Sequence, residues 1–304
     1  MFAAIDVGSN TVRMLIARLA EGKLEPVTYQ QKITRLAGGF DPAIGLASPS
    51  MERTLAVFSG FMELIQRHPV EKVRAVGTAA LRRAENAQHF ANLVKLKTRL
   101  SLEIISGQEE ARLSSAGSLS VMQPVPQHAL LVDIGGGSTE IVFVADGNIL
   151  FASSYPLGVV QLSEEMPCAE RRREFLSDMV VKFSSDLLHS GITPEQLLGC
   201  ELVGTAGTMT TLAAFNLKMH EYDRIRINNH LLAADWLKDT LAELSRLSVQ
   251  QREELPGFEP GRGDVILPGL ELIAVLCSYL EKPHVRVADA GLLEGILLDS
   301  YKLI

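Results

Sequence analysis

The chain has 304 residues and a formal net charge of −7, with 47% hydrophobic and 21% charged residues. That length favours two domains with large apolar cores, and the acidic balance argues against a protein that coats nucleic acid. No apolar stretch is long enough to cross a bilayer uninterrupted, and the first predicted strand begins too early for a signal peptide. The three cysteines lack CxxC spacing and the seven histidines lack ligand spacing, which argues against a disulfide framework or a zinc site. We therefore expect a cytoplasmic globular protein.

Apolar runs in the first half predict strands that lead into helices. Strands are predicted, in chain order, at 2–7, 12–17, 24–29, 73–76 and 102–105. Helices are predicted at 48–66 and from Asn86, and the first of them has Ser48 and Ser50 as candidate caps. A third helix opens after Ser106, a cap residue that is followed by acidic residues in the first turn.

The second half repeats this order after a junction at 123–127, where two prolines break the preceding helix. Strands are predicted at the hairpin of Asp133, at 149–154 and at 201–203. Helices are predicted at 172–188, 209–217, 236–247, 267–280 and 291–301. Halves that begin with a hairpin and continue into helices indicate an α/β fold built from layers.

One loop pattern occurs in both halves, 127 positions apart: AIDVGSNT begins at Ala4 and LVDIGGGST begins at Leu131. Each copy places an Asp at the end of an apolar strand and a small-residue turn after it. Glycine removes the Cβ atoms that would keep a polyanion from the backbone amides. Two such turns predict two related half-molecules that bind phosphate; the alternative is a pair of ordinary hairpins. The turn residues that would hold phosphate are Gly8, Ser9, Asn10, Thr11, Gly135, Gly136, Gly137 and Ser138.

Five segments in order, AIDVGSNTVRMLIA, VGTAALRRAEN, IISGQEEARL, LLVDIGGGSTEIVF and VGTAGTMTTLAA, resemble the Ppx/GppA family of exopolyphosphatases and guanosine pentaphosphate phosphohydrolases. This family lies within the actin/Hsp70/sugar-kinase superfamily. The resemblance implies an α/β fold of two actin-like (ribonuclease H-like) domains with an active-site cleft between them. The implied domains are 1–122, completed by a C-terminal helix at 290–304, and 123–289. The chain is similar to the short form of the family, which has no additional C-terminal helical domains.

The resemblance implies that Glu110 is a catalytic carboxylate. Phosphoanhydride hydrolysis needs a base that orients a water molecule and accepts its proton, and the family places that base in the segment matched here by SGQEEAR. Glu109 lies about 100° away around the helix and should point elsewhere. Without the resemblance, both acids would be ordinary charges that favour the N-terminal end of a helix dipole.

Asp6 and Asp133 are the candidate metal ligands. A carboxylate beside phosphate-binding amides repels phosphate unless a cation lies between them. Mg²⁺ or another divalent cation, bound by one or two carboxylates, resolves that conflict. Each Asp could instead accept a hydrogen bond within its own turn. Glu140 would reach the same ion in this family, or would be a surface acid on the strand face opposite Thr139.

Arg82 is a candidate phosphate clamp, because it follows a strand and a glycine turn and its guanidinium can bind two phosphate oxygens. Arg35 and Arg262 would extend a basic track for a polymer, or would be ordinary surface charges. Gly207, in the segment Gly204–Thr208, would border a distal phosphate or a guanosine group, or would only form the turn between a strand and a helix.

These expectations predict an enzyme that hydrolyses terminal phosphoanhydride bonds of inorganic polyphosphate and releases orthophosphate, with Glu110 and Arg82 in catalytic roles. Hydrolysis of guanosine pentaphosphate to the tetraphosphate is the nearest alternative. An ATP-dependent kinase of the same superfamily and a non-catalytic sensor are the others. The expected partner is the phosphate substrate, and a homodimer is left open because the resembled family often dimerises; neither nucleic acid nor a membrane is expected.

Overall fold

Two β-sheets organise the chain, and each begins with one of the two Asp-led hairpins. The computed structural model describes residues 1–41 and 43–304, which divide into two units. Unit 1 contains Met1–Gly117 and Gly291–Ile304, and unit 2 contains Ser118–Ala290. Both units mix strands and helices, so the predicted α/β class is confirmed. Among the described residues, no helix has both the length and the apolar character needed to cross a membrane.

The sheet of unit 1 has five strands in the order β3-β2-β1-β4-β5. Strand β1 is antiparallel to β2 and parallel to β4, and β4 is parallel to β5. The elements of this first segment are β1 (Phe2–Val7), β2 (Thr11–Ala20), β3 (Lys23–Ile33), α1 (Ser48–Gln66), β4 (Lys72–Gly77), α2 (Ala79–Arg83), α3 (Ala87–Thr98), β5 (Leu102–Ile104) and α4 (Gly107–Leu119).

Helices cover both faces of this sheet, which explains why β1 is apolar on both sides. Ile5 belongs to a buried cluster with Phe58 of α1. Ala4, on the opposite face, belongs to a second cluster with Leu113 of α4. Because side chains alternate along a strand, Asp6 lies on the same face as Ala4. Asp6 therefore faces the layer that contains α4.

The sheet of unit 2 has six strands in the order β10-β11-β9-β6-β7-β8. Its elements are β6 (His128–Ile134), β7 (Thr139–Ala145), β8 (Asn148–Tyr155), α5 (Val159–Glu165), α6 (Ala169–His189), α7 (Pro194–Gly199), β9 (Glu201–Thr205), α8 (Ala206–Asn216), α9 (Arg224–Ile227), β10 (Leu231–Ala233), α10 (Ala234–Leu244), α11 (Val249–Glu253), α12 (Ile266–Tyr279) and β11 (His284–Val287). Its main core joins Val132 of β6 to Phe183 of α6 and Ile273 of α12. The chain then returns to unit 1 as α13 (Leu292–Ser300).

Parallel strands bring the candidate segments to one sheet edge in each unit. In unit 1, the carboxyl ends of β1, β4 and β5 lead into the first glycine turn, α2 and α4. In unit 2, the carboxyl end of β6 leads into the second glycine turn and that of β9 leads into α8. There, Asp133 and Thr205 are paired in register. Ligand sites of open α/β sheets form at this edge.

Of the helix caps predicted from the sequence, the one at α1 is wrong and the one at α4 is confirmed. The bounds of α1 match the prediction, but its N-cap is Ala47, which makes no side-chain cap hydrogen bond. The expectation that Ser48 or Ser50 caps this helix is therefore wrong, and Ser50 Oγ donates to a loop carbonyl instead. Ser106 Oγ accepts a hydrogen bond from the Glu109 backbone N–H at 3.1 Å. The predicted cap of α4 is thus confirmed.

Candidate active site

The first turn, between β1 and β2, exposes its amides and has its carbonyls bonded elsewhere. The Gly8 N–H donates to the Thr11 carbonyl at 2.9 Å and closes the turn. The carbonyl oxygens of Ser9 and Asn10 accept from backbone amides of the segment 34–37, at 2.9 Å in each case. Within the described chain, the Ser9 and Asn10 amides donate to no protein acceptor. Such a turn suits an anion, because free N–H groups attract it and bonded carbonyls do not repel it.

The second turn, between β6 and β7, has the same closure. The Gly135 N–H donates to the Ser138 carbonyl at 3.0 Å. The carbonyls of Gly135 and Gly136 accept from the first two amides of α5, each at 3.1 Å, and the Gly136 and Gly137 amides have no protein acceptor in the described chain. Gly158 permits this approach, since a Cβ there would lie 2.2 Å from the Gly136 carbonyl oxygen. The N-terminus of α5 therefore holds the second turn.

Each Asp lies opposite a charged residue on the next strand, and the two partners have opposite signs. Asp6 pairs in register with Arg13, whose Nε and Nη2 donate to Asp6 Oδ2 at 2.9 and 2.5 Å. The Asp6 side chain is 3% exposed, and its Oδ1 has no hydrogen-bond partner among the described residues. Asp133 pairs in register with Glu140, which is buried and accepts a hydrogen bond from Ser154 at 2.6 Å. Two carboxylates therefore meet only in the second hairpin.

Glu110 lies in the first turn of α4, with a side chain that is 11% exposed. Arg82, in α2, donates from Nη1 to Glu110 Oε2, and the same nitrogen donates to the Ile105 carbonyl at 3.3 Å. The structure thus brings the two predicted catalytic residues together. The other N–H donors of Arg82 have no protein partner in the described part of the chain. They can therefore receive a phosphate oxygen while Nη1 holds the carboxylate.

Glu109 points away from this pair. Its carboxylate accepts from Arg112 Nε and Nη2 at 2.9 and 3.0 Å, and Arg112 also donates to Asp299 of α13 at 2.7 Å. The hydrogen bond from Arg112 lowers the pKa of the Glu109 carboxyl below its usual value. Glu109 therefore connects α4 to α13 through Arg112. Its side chain faces a different way from that of Glu110, because adjacent positions on a helix point in different directions.

The remaining predicted binding residues lie in two places. In unit 2, the Arg262 guanidinium covers the first turn of α8, because a Cβ on Gly207 would lie 2.3 Å from Arg262 Nη1. In unit 1, the Arg35 side chain is exposed and its backbone N–H is one of the donors to the Asn10 carbonyl. Gly207 and Arg262 are therefore neighbours, whereas Arg35 supports the first turn through its backbone. Their roles as substrate contacts stay predictions.

The oxygen atoms of the second hairpin fit a hard divalent cation. Mg²⁺ is usually bound by one or two carboxylates, with water and substrate oxygens in its other positions. Asp133 and Glu140 supply two carboxylates from positions whose Cβ atoms are about 5 Å apart in such a strand pair. Within 1–41 and 43–304, no three His, Cys, Asp or Glu residues form a group that could hold a metal. The protein would thus supply two ligands rather than a complete cage.

The sequence analysis missed Arg13, Ser154 and the supports of the two turns. One signal for Arg13 was present: Asp6 and Arg13 are equally far from the centre of their turn, as opposite residues of a hairpin must be. The segment 34–37 and Gly158 carry no such signal. Tertiary folding alone brings them to the turns.

Comparisons with known proteins show which family the chain is similar to. A family model described as the Ppx/GppA phosphatase family matches residues 15–303. Exopolyphosphatase 2 of Mycobacterium tuberculosis is 32% identical over 314 residues, which cover 97% of each chain. A guanosine-5'-triphosphate,3'-diphosphate pyrophosphatase of Aeromonas salmonicida is 28% identical, over 98% of this chain but 58% of that protein. The crystal structure of the Ppx/GppA family member of Aquifex aeolicus matches with a TM-score of 0.84 and 30% identity, over 99% of this chain and 97% of that one.

Proposed function

The chain belongs to the Ppx/GppA phosphatase family, and we propose that it is an exopolyphosphatase that hydrolyses the terminal phosphoanhydride bonds of inorganic polyphosphate. The mycobacterial relative named exopolyphosphatase 2 supports this substrate, because the similarity covers 97% of both proteins. The relative named as a pyrophosphatase of the guanosine compound is matched over only 58% of its length. Polyphosphate is therefore the preferred substrate of the proposal.

The pairing of Glu110 with Arg82 is the observation that carries the proposal. In phosphoryl transfer to water, catalysis consists mainly of positioning the nucleophile and stabilising charge. Glu110, held by Arg82, would orient the attacking water and accept its proton. The free donors of Arg82 would bind an oxygen of the phosphoryl group under attack. The Glu110–Arg82 pair would thus position both the attacking water and the phosphorus atom that it attacks.

The two glycine turns would bind phosphate oxygens through their backbone amides. In both turns, other backbone amides bond the carbonyls that would otherwise repel an anion. This leaves amides of Ser9 and Asn10 in unit 1, and of Gly136 and Gly137 in unit 2, as donors. Backbone amides that are fixed before the substrate arrives bind it without a cost of reorganisation.

Asp133 and Glu140 would hold Mg²⁺ or another divalent cation, which neutralises phosphate charge when it is bound. The hydrogen bond from Ser154 fixes the Glu140 carboxylate. Asp133 and Glu140 face each other across the strand pair, and a divalent cation between them would neutralise the repulsion of two like charges. Asp6, the other predicted ligand, has the Arg13 guanidinium on one of its oxygens.

Phosphate release from polyphosphate of defined length, with and without Mg²⁺, tests the proposal. Glu110→Gln should lower kcat by about 10²–10⁴-fold, the range of a lost general base. Glu109→Gln is the matched control, because it makes the same chemical change on the same helix turn and faces Arg112 instead. Its kcat should stay within about twofold, as expected for a partly exposed ion pair. Equal losses in both variants would contradict the role of Glu110.

The same assay with guanosine pentaphosphate separates the alternatives. A higher kcat/KM on the nucleotide would make the chain a guanosine pentaphosphate phosphohydrolase with the same site residues. Product formation that requires an acceptor molecule would indicate a kinase. Tight polyphosphate binding with no turnover, unchanged in Glu110→Gln, would indicate a sensor. A cytoplasmic location and a homodimer stay predictions, and sedimentation velocity of the purified chain tests the dimer.

A further inference from the structure

The short helix α5 supports the second glycine turn, and it cannot hold its own position. Its first two amides, those of Val159 and Val160, donate to the carbonyls of Gly135 and Gly136 at 3.1 Å each. Its N-cap residue is Gly158, which has no side chain to cap the helix. A helix of seven residues is well below the length that is stable by itself in water. The position of α5 must therefore be set by the residues that contact it.

A small cavity lies along one side of α5, so close packing does not fix the helix on that side. The volume of the cavity is about 40 Å³, and its walls include Leu162, the C-cap residue Met166 and Phe175 of α6. Well-packed interiors fill such space and hold side chains in place. Gln161 and Glu165 also line the cavity, and Gln161 Nε2 donates to Glu165 Oε2 at 2.9 Å within the same helix. A polar anchor from a neighbouring helix therefore matters more here than at a close-packed contact.

Arg172 of α6 supplies such an anchor at the carboxyl end of α5. Its Nη1 donates to the carbonyl of Met166 at 2.7 Å. Its Nη2 donates to Glu271 Oε1 of α12 at 2.9 Å, and its Nε donates to Glu271 Oε2. The side chains of Arg172 and Glu271 are 6% and 2% exposed. The carboxylate thus fixes the plane of the guanidinium and directs the third nitrogen at the end of α5.

Stability alone does not account for this buried ion pair. The cost of removing two charges from water offsets much of their attraction, and apolar residues of similar volume often give an equally stable core. Apolar residues, however, could not donate a hydrogen bond to the Met166 carbonyl. The pair of Arg172 and Glu271 therefore adds to the core a hydrogen-bond donor in a fixed place.

Unit 1 holds its first turn by a comparable arrangement. The Asn10 carbonyl accepts from the Thr34 N–H at 2.9 Å, and the Thr34 carbonyl accepts from Arg53 Nε of α1 at 3.1 Å. In both units, the segment that bonds a turn carbonyl gives one of its own carbonyls to an arginine of the helix that follows it. Arg53 is exposed whereas Arg172 is buried, so the anchor of the second turn is the stronger one.

We propose that Arg172 is a positioning residue for the second glycine turn, which it holds through α5, and that Glu271 orients Arg172. The inference rests on the proposed function, in which the amides of this turn bind phosphate. Arg172 acts through the Met166 carbonyl and α5 on the carbonyls of the turn, and not by contact with the substrate. Without this anchor, the turn loses its fixed position, and substrate binding must supply the ordering.

Hydrogen exchange of the Val159 and Val160 amides tests the positioning without use of turnover. The double variant Arg172→Met/Glu271→Leu replaces the ion pair by apolar residues of similar size and removes the donor to Met166. We expect the two amides to exchange at least about tenfold faster than in the native chain, because α5 opens locally more often.

The reference amide and the control variant separate a local effect from a general one. The amide of Val132 in β6 belongs to the core of unit 2, and its exchange rate should stay within about threefold of the native rate. Arg173→Met is the matched control, because it removes an exposed arginine that donates within its own helix. All three amides should exchange in this variant as they do in the native chain.

Two results of the exchange experiment would overturn the proposal. Equal acceleration at Val132 and in α5 would mean that the ion pair only stabilises the core of unit 2. Native exchange of α5 in a folded double variant would mean that other contacts position the helix. If circular dichroism shows that the apolar pair does not fold, Arg172→Gln/Glu271→Gln makes the same test. That pair is neutral and hydrogen-bonding, and the shorter side chain at position 172 lacks the third donor.

The KM for polyphosphate gives a second readout. In the double variant, KM should rise by about threefold to tenfold, the cost of ordering about one additional group on binding. The kcat should stay within about twofold, because Glu110 and Arg82 lie in unit 1 and keep their contact. Faster exchange in α5 with an unchanged KM would contradict the proposal. If the native chain releases no phosphate from polyphosphate, the proposed function fails, whereas hydrogen exchange still tests the positioning of α5 by Arg172.

Discussion

The two glycine hairpins share their backbone and differ in what holds them. Both close with a hydrogen bond across four residues, from Gly8 to Thr11 in unit 1 and from Gly135 to Ser138 in unit 2. The carbonyls of the first are bonded by an irregular segment, 34–37, and those of the second by the N-terminus of α5. Backbone shape therefore follows the repeated turn residues, whereas stiffness and charge come from neighbours outside the repeat.

The difference in charge has a direct consequence for chemistry. A turn beside a neutral Asp–Arg pair attracts an anion by its amides alone. In the proposed function, the turn beside the two opposed carboxylates binds its anion together with a divalent cation. The second turn should therefore respond to the concentration of divalent cation, and the first should not. Substitutions that exchange or weaken the residues around each turn therefore test this difference between the two hairpins.

The largest effect is expected when the second hairpin is given the charge pair of the first. Glu140→Arg places a guanidinium opposite Asp133, as Arg13 is opposite Asp6, and removes one of the two proposed cation ligands. We expect kcat/KM for polyphosphate to fall by about 10²–10³-fold, a loss equivalent to roughly 3–4 kcal/mol of transition-state stabilisation, and Mg²⁺ to have little further effect. Phosphate release over a Mg²⁺ series measures both. Full activity with unchanged Mg²⁺ dependence would show that Glu140 has no part in cation binding.

The next effect concerns the support of the second turn. In Gly158→Ala the new Cβ would lie 2.2–2.4 Å from backbone atoms of Gly136 and Gly137, so α5 must move away from the turn. We expect a loss of about 1–3 kcal/mol in the free energy of unfolding, the usual cost of overpacking, and lower phosphate release. Gly60→Ala is the matched control, since nothing lies within 4 Å of a Cβ there. It should be stabilising by about 0.5–1 kcal/mol because it lies inside a helix. Denaturant unfolding of both variants measures the difference in their free energies of unfolding. Equal stabilities would contradict the role of Gly158 in supporting the second turn.

An effect of similar size on stability, but without displacement of a helix, follows from the residue after each turn. Thr139 Oγ1 donates to the Leu157 carbonyl at 2.6 Å, and the equivalent residue of the first hairpin is the buried Val12. Thr139→Val makes the hairpins alike at this position and leaves a buried carbonyl without its donor. We expect a loss of about 1–3 kcal/mol in the free energy of unfolding. Thr139→Ser keeps the hydroxyl and should recover part of that loss; a valine variant as stable as native would show that the bond contributes nothing.

The smallest expected effect is a difference between the units in their response to acid. In unit 2, burial and the nearby Arg226 lower the pKa of His230, so the folded state resists protonation more than the unfolded state. The contribution of His230 to the free energy of unfolding is fully present above the ordinary pKa of histidine, about 6.5. It is lost as the pH falls below that value. In unit 1, Arg112 lowers the pKa of Glu109, and that stability is lost only at more acidic pH. Urea unfolding between pH 8 and 4 should show the first loss near pH 6 and a weaker one in His230→Gln; an unchanged pH dependence in this variant would contradict the assignment.

Much of the chemistry could be predicted from local sequence. Asp6, Asp133 and the glycine turns were predicted because the spacing of residues along the chain fixes their positions within a single hairpin. Glu110 was predicted because the segment around it resembles a known motif, and the helix that carries it was predicted from the Ser106 cap. The pairing of Arg82 with Glu110 was not predicted, since these residues lie on helices that follow different strands and meet only through parallel strand order.

The sequence by itself determined the repeat, the α/β class and the positions of the turns, because each depends on residues within a few positions of one another. Only the tertiary structure decided which side chains face the Asp residues, which backbone amides bond the turn carbonyls, and which carboxylate Arg82 contacts. Those contacts join residues far apart in the chain, and they form where burial excludes water and leaves each charge or carbonyl to find a partner in the protein.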